Sequence, residues 1–223
     1  AAMAGTLGDR LDLAGEAVLS APLDYKTAVI DGGAEASFTV TGSRESPALR
    51  LDAKAGSVTV QNFVLTDARL RTEITDILDA PKGPIQMEGE TEQGPLSLST
   101  QFTSTPGVFV ADDIDLAWGR LTAEGTLKYP EDGIATGMLK LNLPERKGRY
   151  ARAALTLSNA TGQQGIALTA EAKQITYAGI NLETLDAEAN GTLSSLTGNV
   201  KAKGQRGENR ISRGYAIDVP FTV

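Results

Sequence analysis

Along most of this chain apolar and polar residues alternate with period two, the spacing that puts every second side chain on one face of a β-strand. Leu11, Leu13, Ala17 and Leu19 begin the series, Ala36, Phe38 and Val40 continue it, and Leu49, Leu51, Ala53 and Ala55 follow, with Asp, Arg, Lys and Thr between many of them. The pattern is sharpest in the second half. There Ile114, Leu116 and Trp118 lead to Leu121, Ala123 and Leu127, then to Leu139, Leu141 and Leu143, then to Leu155 and Leu157. Ile166, Leu168, Ala170, Ala172, Ile175 and Tyr177 come next, then Ile180, Leu182, Leu185, Ala187, Ala189 and Leu193, and finally Val200 and Ala202. Each such strand has one apolar and one wet face.

Turn chemistry separates the runs: Asp31-Gly32-Gly33, Pro130-Glu131-Asp132-Gly133, Gly162-Gln163-Gln164-Gly165, Asn190-Gly191 and Thr197-Gly198-Asn199 are each read as a turn. Spacings of roughly 10 to 15 residues predict successive antiparallel hairpins, that is, a meander. One stretch breaks the pattern. Leu70, Ile74, Ile77 and Leu78 fall at helical spacing between Thr66 and Asp79, with Pro81 and Gly83 as a stop, and predict one short helix over 66–79 capping one end of the sheet. The competing reading is a strand using Leu70, Thr72 and Ile74. A loose motif of alternating apolar residues ending in Gly recurs at Leu121–Gly125, Ala187–Gly191 and Val200–Gly204, without a fixed repeat length. The chain therefore reads as a single β-rich segment over 1–223 with a weak division near 80–95. Because its last residues, Tyr215 to Val223, still alternate like a strand, it is read as an excerpt from a longer protein.

Composition narrows the chemistry. With 41% hydrophobic and 22% charged residues the chain is expected to fold. Its 24 Gly and 5% aromatics favour short strands with frequent turns. The net charge of −7 repels a phosphate backbone, so nucleic acid is set aside. The densest basic cluster, Arg146, Lys147, Arg149 and Arg152, reads as a solvated loop, with contact to an anionic headgroup as the minority reading.

There is no His and no Cys, which removes the Ser-His-Asp and Cys-His arrangements, disulfides and the usual zinc ligands. Carboxylates survive as a route to acid/base work, in Asp112, Asp113 and Asp115 and in Glu88, Glu90 and Glu92, but their alternation with Ile114, Leu116, Met87 and Gly89 marks the wet face of strands. A calcium site at Asp112 and Asp113 lacks the spaced ligand loop that would make it specific. No phosphate-binding Gly motif is present, and no cofactor is expected. Asn159-Ala160-Thr161 and Asn190-Gly191-Thr192 match the glycosylation tripeptide, a pattern that arises by chance. Trp118, Tyr129 and Tyr177 are isolated on strand faces and read as core before they read as stacking platforms.

A meander with one apolar face must cover it by closure, by a second sheet, by helices or by binding something apolar. Helices are scarce here, and Ala and Gly take many inward positions, which leaves room. The expected fold is an all-β, strongly curved antiparallel meander folded into an apolar trough. Its groove is assigned to Ile114, Leu116, Trp118, Leu121, Leu127, Leu139, Leu141, Leu143, Leu155, Leu157, Ile166, Leu168, Ile175, Tyr177, Leu182, Leu185, Leu193 and Val200.

Two stretches, Ile114 to Leu127 and Tyr177 to Leu193, resemble the Gly-punctuated strands of TamB and its AsmA-like relatives, large periplasmic proteins of Gram-negative bacteria. The likeness covers about residues 49–204. It implies a β-taco-like body of a protein anchored in the inner membrane, carrying phospholipid acyl chains towards the outer membrane. It also implies an outer-membrane barrel of the TamA or BamA type as partner, help in outer-membrane protein assembly, and no catalytic residue. The rival reading is a structural or adhesive module in which the same alternation closes into a dry core; a carbohydrate-active β-domain ranks behind both.

Overall fold

The computed structural model describes residues 2–20, 22–25, 28–131, 133–177, 180–206 and 213–222. The side chains of Leu7, Tyr25, Ala28, Tyr177, Ile180, Arg206, Arg213 and Tyr215 lie outside that description. Sixteen strands and no helix are found among the described residues. The chain divides into two compact units, Ala1–Gly119 and Arg120–Val223.

The first unit holds β1 (Ala2–Leu7), β2 (Arg10–Leu19), β3 (Leu23–Tyr25), β4 (Ala28–Ser43), β5 (Pro47–Val60), β6 (Phe63–Ile74), β7 (Lys82–Thr91), β8 (Gly94–Thr105) and β9 (Val108–Trp118). They pair antiparallel in sequence order, with β3 off the main path against β4. The second unit holds β10 (Leu121–Pro130), β11 (Thr136–Arg146), β12 (Arg149–Ala160), β13 (Gln163–Tyr177), β14 (Ile180–Thr192), β15 (Ser195–Arg206) and β16 (Arg213–Thr222), again each beside the next. Among the described residues neither ladder returns to its first strand, so neither unit is a closed barrel. The expected all-β antiparallel meander is the architecture observed.

The expected helix over 66–79 is absent. Leu70 and Thr72 lie in β6, where Leu70 opposes Ala53 on one side and Met87 on the other, and Thr72 opposes Leu51 and Ile85. A helix there would leave the facing backbone groups of β5 and β7 unpaired, and the sheet satisfies all of them at once. Ile77 and Leu78 fall instead in the β6–β7 connection, where Leu78 is exposed.

Three expected turns, Asp31-Gly32-Gly33, Asn190-Gly191 and Thr197-Gly198-Asn199, are also strand interior. Asn190-Gly191 lies in β14, with the chain reversing at Leu193–Ser194, and Thr197-Gly198-Asn199 lies in β15. Gly198 faces Phe221 across the ladder, and a Cβ on it would sit 2.6 Å from the ring Cζ, so this glycine seats an aromatic side chain rather than turning the chain. Gly15 seats Phe38 in the same way.

Gly32 and Gly33 form a bulge inside β4, with φ of 72° and 82°. Gly32 lies against Gly56 of β5, where an added Cβ would come within 3.3 Å of the neighbouring Cα. Gly56 in turn stands opposite Asp67 of β6, whose φ is 49°. An extra residue in one strand shifts which side chains face in, so the apolar spacing stretches from two to three at Ala55–Val58 and Leu65–Ala68. The same slip occurs at Ala111–Ile114 around Asp113 (φ 51°), and at Ala172–Ile175 around Gln174 (φ 51°). Each bulge returns the apolar residues to the same face.

Candidate functional site

The registers of the second unit assemble its apolar positions into cross-strand rows. One row runs Leu127, Gly137, Leu157, Ile166, Gly191 and Leu196 from β10 to β15. The next runs Gly125, Leu139, Leu155, Leu168, Ala189, Gly198 and Phe221 from β10 to β16. A third runs Ala123, Leu141, Ala153, Ala170, Ala187, Val200 and Val219. A fourth runs Leu143, Ala151, Ala172, Leu185, Ala202 and Ile217, on the face to which Leu121 also belongs. These four rows contain no polar side chain.

The opposite face is its complement. Glu124 meets Lys140, Arg152 meets Glu171 and Lys203 meets Glu183 at 3.9, 3.2 and 3.6 Å. All six partners are exposed or half-exposed, so these pairs identify the wet face and add little stability.

Seven strands of aligned Leu, Ile, Val, Ala and Gly would ordinarily seal a core. Yet among the described residues of this unit only Ala123, Ala172 and Ala189 are buried hydrophobics, while Leu141 and Leu168 remain 37% exposed, Ile217 45% and Val219 49%. The larger side chains of the face are half-buried by their neighbours and otherwise open.

Most of the residues assigned to the groove from sequence come together here. Leu121, Leu127, Leu139, Leu141, Leu143, Leu155, Leu157, Ile166, Leu168, Leu185 and Val200 share the face. Leu182 rejoins it past the bulge at Glu183, opposite Gly204, and Ile175 pairs with Leu182. Leu193 stands apart in the β14–β15 turn, 73% exposed. Tyr177 ends β13, its side chain outside the described residues.

Ile114, Leu116 and Trp118 belong to the first unit. Leu116 opposes Leu98 and Trp118 opposes Leu96. Both pack against a buried cluster of that unit, Leu65, Ala68 and Leu96. Phe63 meets the Trp118 ring edge-on at 5.8 Å, and the indole N–H donates to Thr91 Oγ1 at 2.7 Å. Three threonines on this apolar side turn their hydroxyls back to the ladder: Thr72 donates to the Pro84 carbonyl, Thr91 to that of Gly94 and Thr100 to that of Asp112, each at 2.8 Å. Polar atoms on the face are thus consumed internally.

The first unit also holds a feature that the sequence reading did not nominate. An apolar cleft of about 500 Å³ lies over Ala17, Ala34, Ala36, Ala53, Ala55 and Ala68, walled by Ile30, Leu65, Leu70 and Met87. Its floor is two cross-strand rows, Ala17–Ala36–Ala53–Leu70–Met87 and Leu19–Ala34–Ala55–Ala68. The recurrence of Ala at matching alternation positions in three successive strands is the signal that marks it, because methyl-sized side chains opposite one another leave volume above the sheet.

The carboxylates considered for acid/base work do not converge. Glu88, Glu90 and Glu92 and Asp112, Asp113 and Asp115 are all exposed, and among the described residues no group of three potential ligands is placed to hold a metal ion. Comparison with protein-family models, with curated proteins and with solved structures finds no match to this chain.

Proposed function

We propose that this chain is a non-enzymatic, lipid-handling segment whose apolar sheet face forms a trough for phospholipid acyl chains. The observation that carries this reading is the set of four uninterrupted apolar rows along which Leu141, Leu168, Ile217 and Val219 keep a third or more of their surface in solvent, while none of the other described leucines, isoleucines or valines of the rows is fully buried. An apolar patch of that extent on a soluble surface is a binding face in search of an occupant. Hydrocarbon suits it chemically. The backbone is already paired in the ladder and the face offers no side-chain donor or acceptor, so a polar ligand would bury groups it could not satisfy. The bulge at Glu183 in β14 adds the local bending that a trough requires.

With the resemblance to the TamB and AsmA-like style of strand, the reading extends to a periplasmic body of an inner-membrane-anchored parent. That parent moves phospholipid between the inner and outer membranes, and works with an outer-membrane barrel of the TamA or BamA type in outer-membrane biogenesis. The test is native mass spectrometry of the purified chain after expression in a Gram-negative host, followed by lipid extraction. Co-purifying phospholipid is expected. A lipid-free, thermally stable monomer that binds no apolar dye would instead make this a closed structural module.

A further inference from the structure

The β11–β12 hairpin ends in a cationic tip whose charges are unmatched. Arg146 and Arg149 are directly opposed partners, joined through Lys147 and Gly148, whose φ values of 54° and 77° make the tight two-residue reversal. Like charges placed directly opposite one another destabilise a strand pair. Among the described residues no carboxylate lies within ion-pair distance of Arg146, Lys147 or Arg149, although the protein carries a net charge of −7. Arg152, three residues inward and on the wet face, is by contrast neutralised by Glu171 at 3.2 Å. A fourth cation is drawn to the same corner: Arg120 donates through Nη2 to the Pro144 carbonyl at 2.9 Å, at the end of β11.

This corner lies at the end of the apolar rows. Leu143 and Ala151 form the last apolar pair before the tip, and Arg146 follows Leu143 by three residues, about 10 Å of strand. We propose that Arg120, Arg146, Lys147 and Arg149 form a phosphate-binding site that holds the headgroup of a phospholipid whose acyl chain lies on the adjoining apolar face. Arginine suits this role, because its planar guanidinium gives two parallel hydrogen bonds to a phosphate. The site rests on the acyl-chain reading above for its tail contact and on the hairpin geometry alone for its headgroup contact.

The experiment uses the whole chain with three monomeric probes at low ionic strength: dihexanoyl phosphatidylglycerol below its micelle concentration, uncharged dihexanoylglycerol, and inorganic phosphate. Binding is read by titration calorimetry and by NMR shifts of the arginine side chains. Replacing Arg146→Gln, Lys147→Gln and Arg149→Gln together should weaken phosphatidylglycerol binding on the order of 100-fold and leave dihexanoylglycerol unchanged. Arg146→Lys with Arg149→Lys should retain most of the affinity, and Lys128→Gln with Lys201→Gln, a loss of charge elsewhere, should have little effect. Equal losses for both lipids in the Gln variant, or no loss for either, overturns the headgroup site. Phosphate binding at the tip without binding of either lipid keeps an anion site for free phosphate while the acyl-chain reading fails. Absence of binding by all three probes overturns both.

Discussion

Leu141→Asp separates an open apolar face from a sealed one. Leu141 sits in its row between Ala123 and Ala153, and it keeps 37% of its surface in solvent. Full burial of a leucine side chain is worth roughly 1.5–3 kcal/mol, so a leucine this wet contributes about 1–2 kcal/mol. Its loss opens no internal cavity, and an aspartate there can turn its carboxylate to water. The expected destabilisation is therefore about 1–2 kcal/mol. Leu65 provides the contrast. It is 4% exposed within the cluster with Ala68 and Leu96, where removing the side chain leaves a void and an aspartate leaves an unpaired buried charge. Leu65→Asp should cost about 3–5 kcal/mol. Urea unfolding followed by circular dichroism measures both, with an unchanged m-value confirming that the two variants unfold from comparable states. Leu141→Asp should fold and lose acyl-chain binding, as should Leu157→Asp and Leu182→Asp. If Leu141→Asp fails to fold, or costs as much as Leu65→Asp, the face is a closed core and the trough is wrong.

Gly198→Ala would drive a methyl into the Phe221 ring and the Glu188 carbonyl, so it should destabilise by about 1–3 kcal/mol, and a thermal melt of Gly198→Ala beside Phe221→Leu and the double variant should show the two sites coupled. Asp67 holds a left-handed backbone, so Asp67→Gly should be neutral or slightly stabilising, whereas Asp67→Val should cost about 1–3 kcal/mol in the same melt. At Asp76 the hydrogen bond and the charge of Lys82 Nζ, 2.8 Å away, hold the carboxyl below its ordinary range. The stabilising contact is thus complete at neutral pH and is lost as pH falls through the depressed value. NMR titration of Lys82→Met should show Asp76 titrating higher.

Much of the fold could be read in the chain because period-two alternation is a local property. Leu139, Leu141 and Leu143 fix a face without reference to any partner. The spacing of three from Ala172 to Ile175 and from Leu182 to Leu185 was equally visible in the sequence. These are the places where Gln174 takes a left-handed backbone and Glu183 bulges, and the slip encodes them. Asn190-Gly191 misled because Asn-Gly is the strongest short hairpin signal, whereas this glycine keeps to the ladder opposite Leu196 and the turn falls two residues later. Leu70, Ile74, Ile77 and Leu78 misled because a strand followed by a short connection can reproduce helical spacing by coincidence. The choice between the two was made by β5 and β7, which local spacing does not report. The cleft over the alanines depended on which strands align with which, and that information is carried by registers rather than by any single run.

Because every strand of the second unit pairs only with its sequence neighbours among the described residues, and the rows run straight across them, the sheet behaves as a strip that can be lengthened or shortened by whole hairpins. Excising β12 and β13 would bring β11 beside β14 with Gly137 opposite Gly191, Leu139 opposite Ala189 and Leu141 opposite Ala187, each still on the apolar side. Such a strip tolerates changes in span during evolution without renegotiating its interior, much as solenoids do, and its stability should grow stepwise with the number of hairpins.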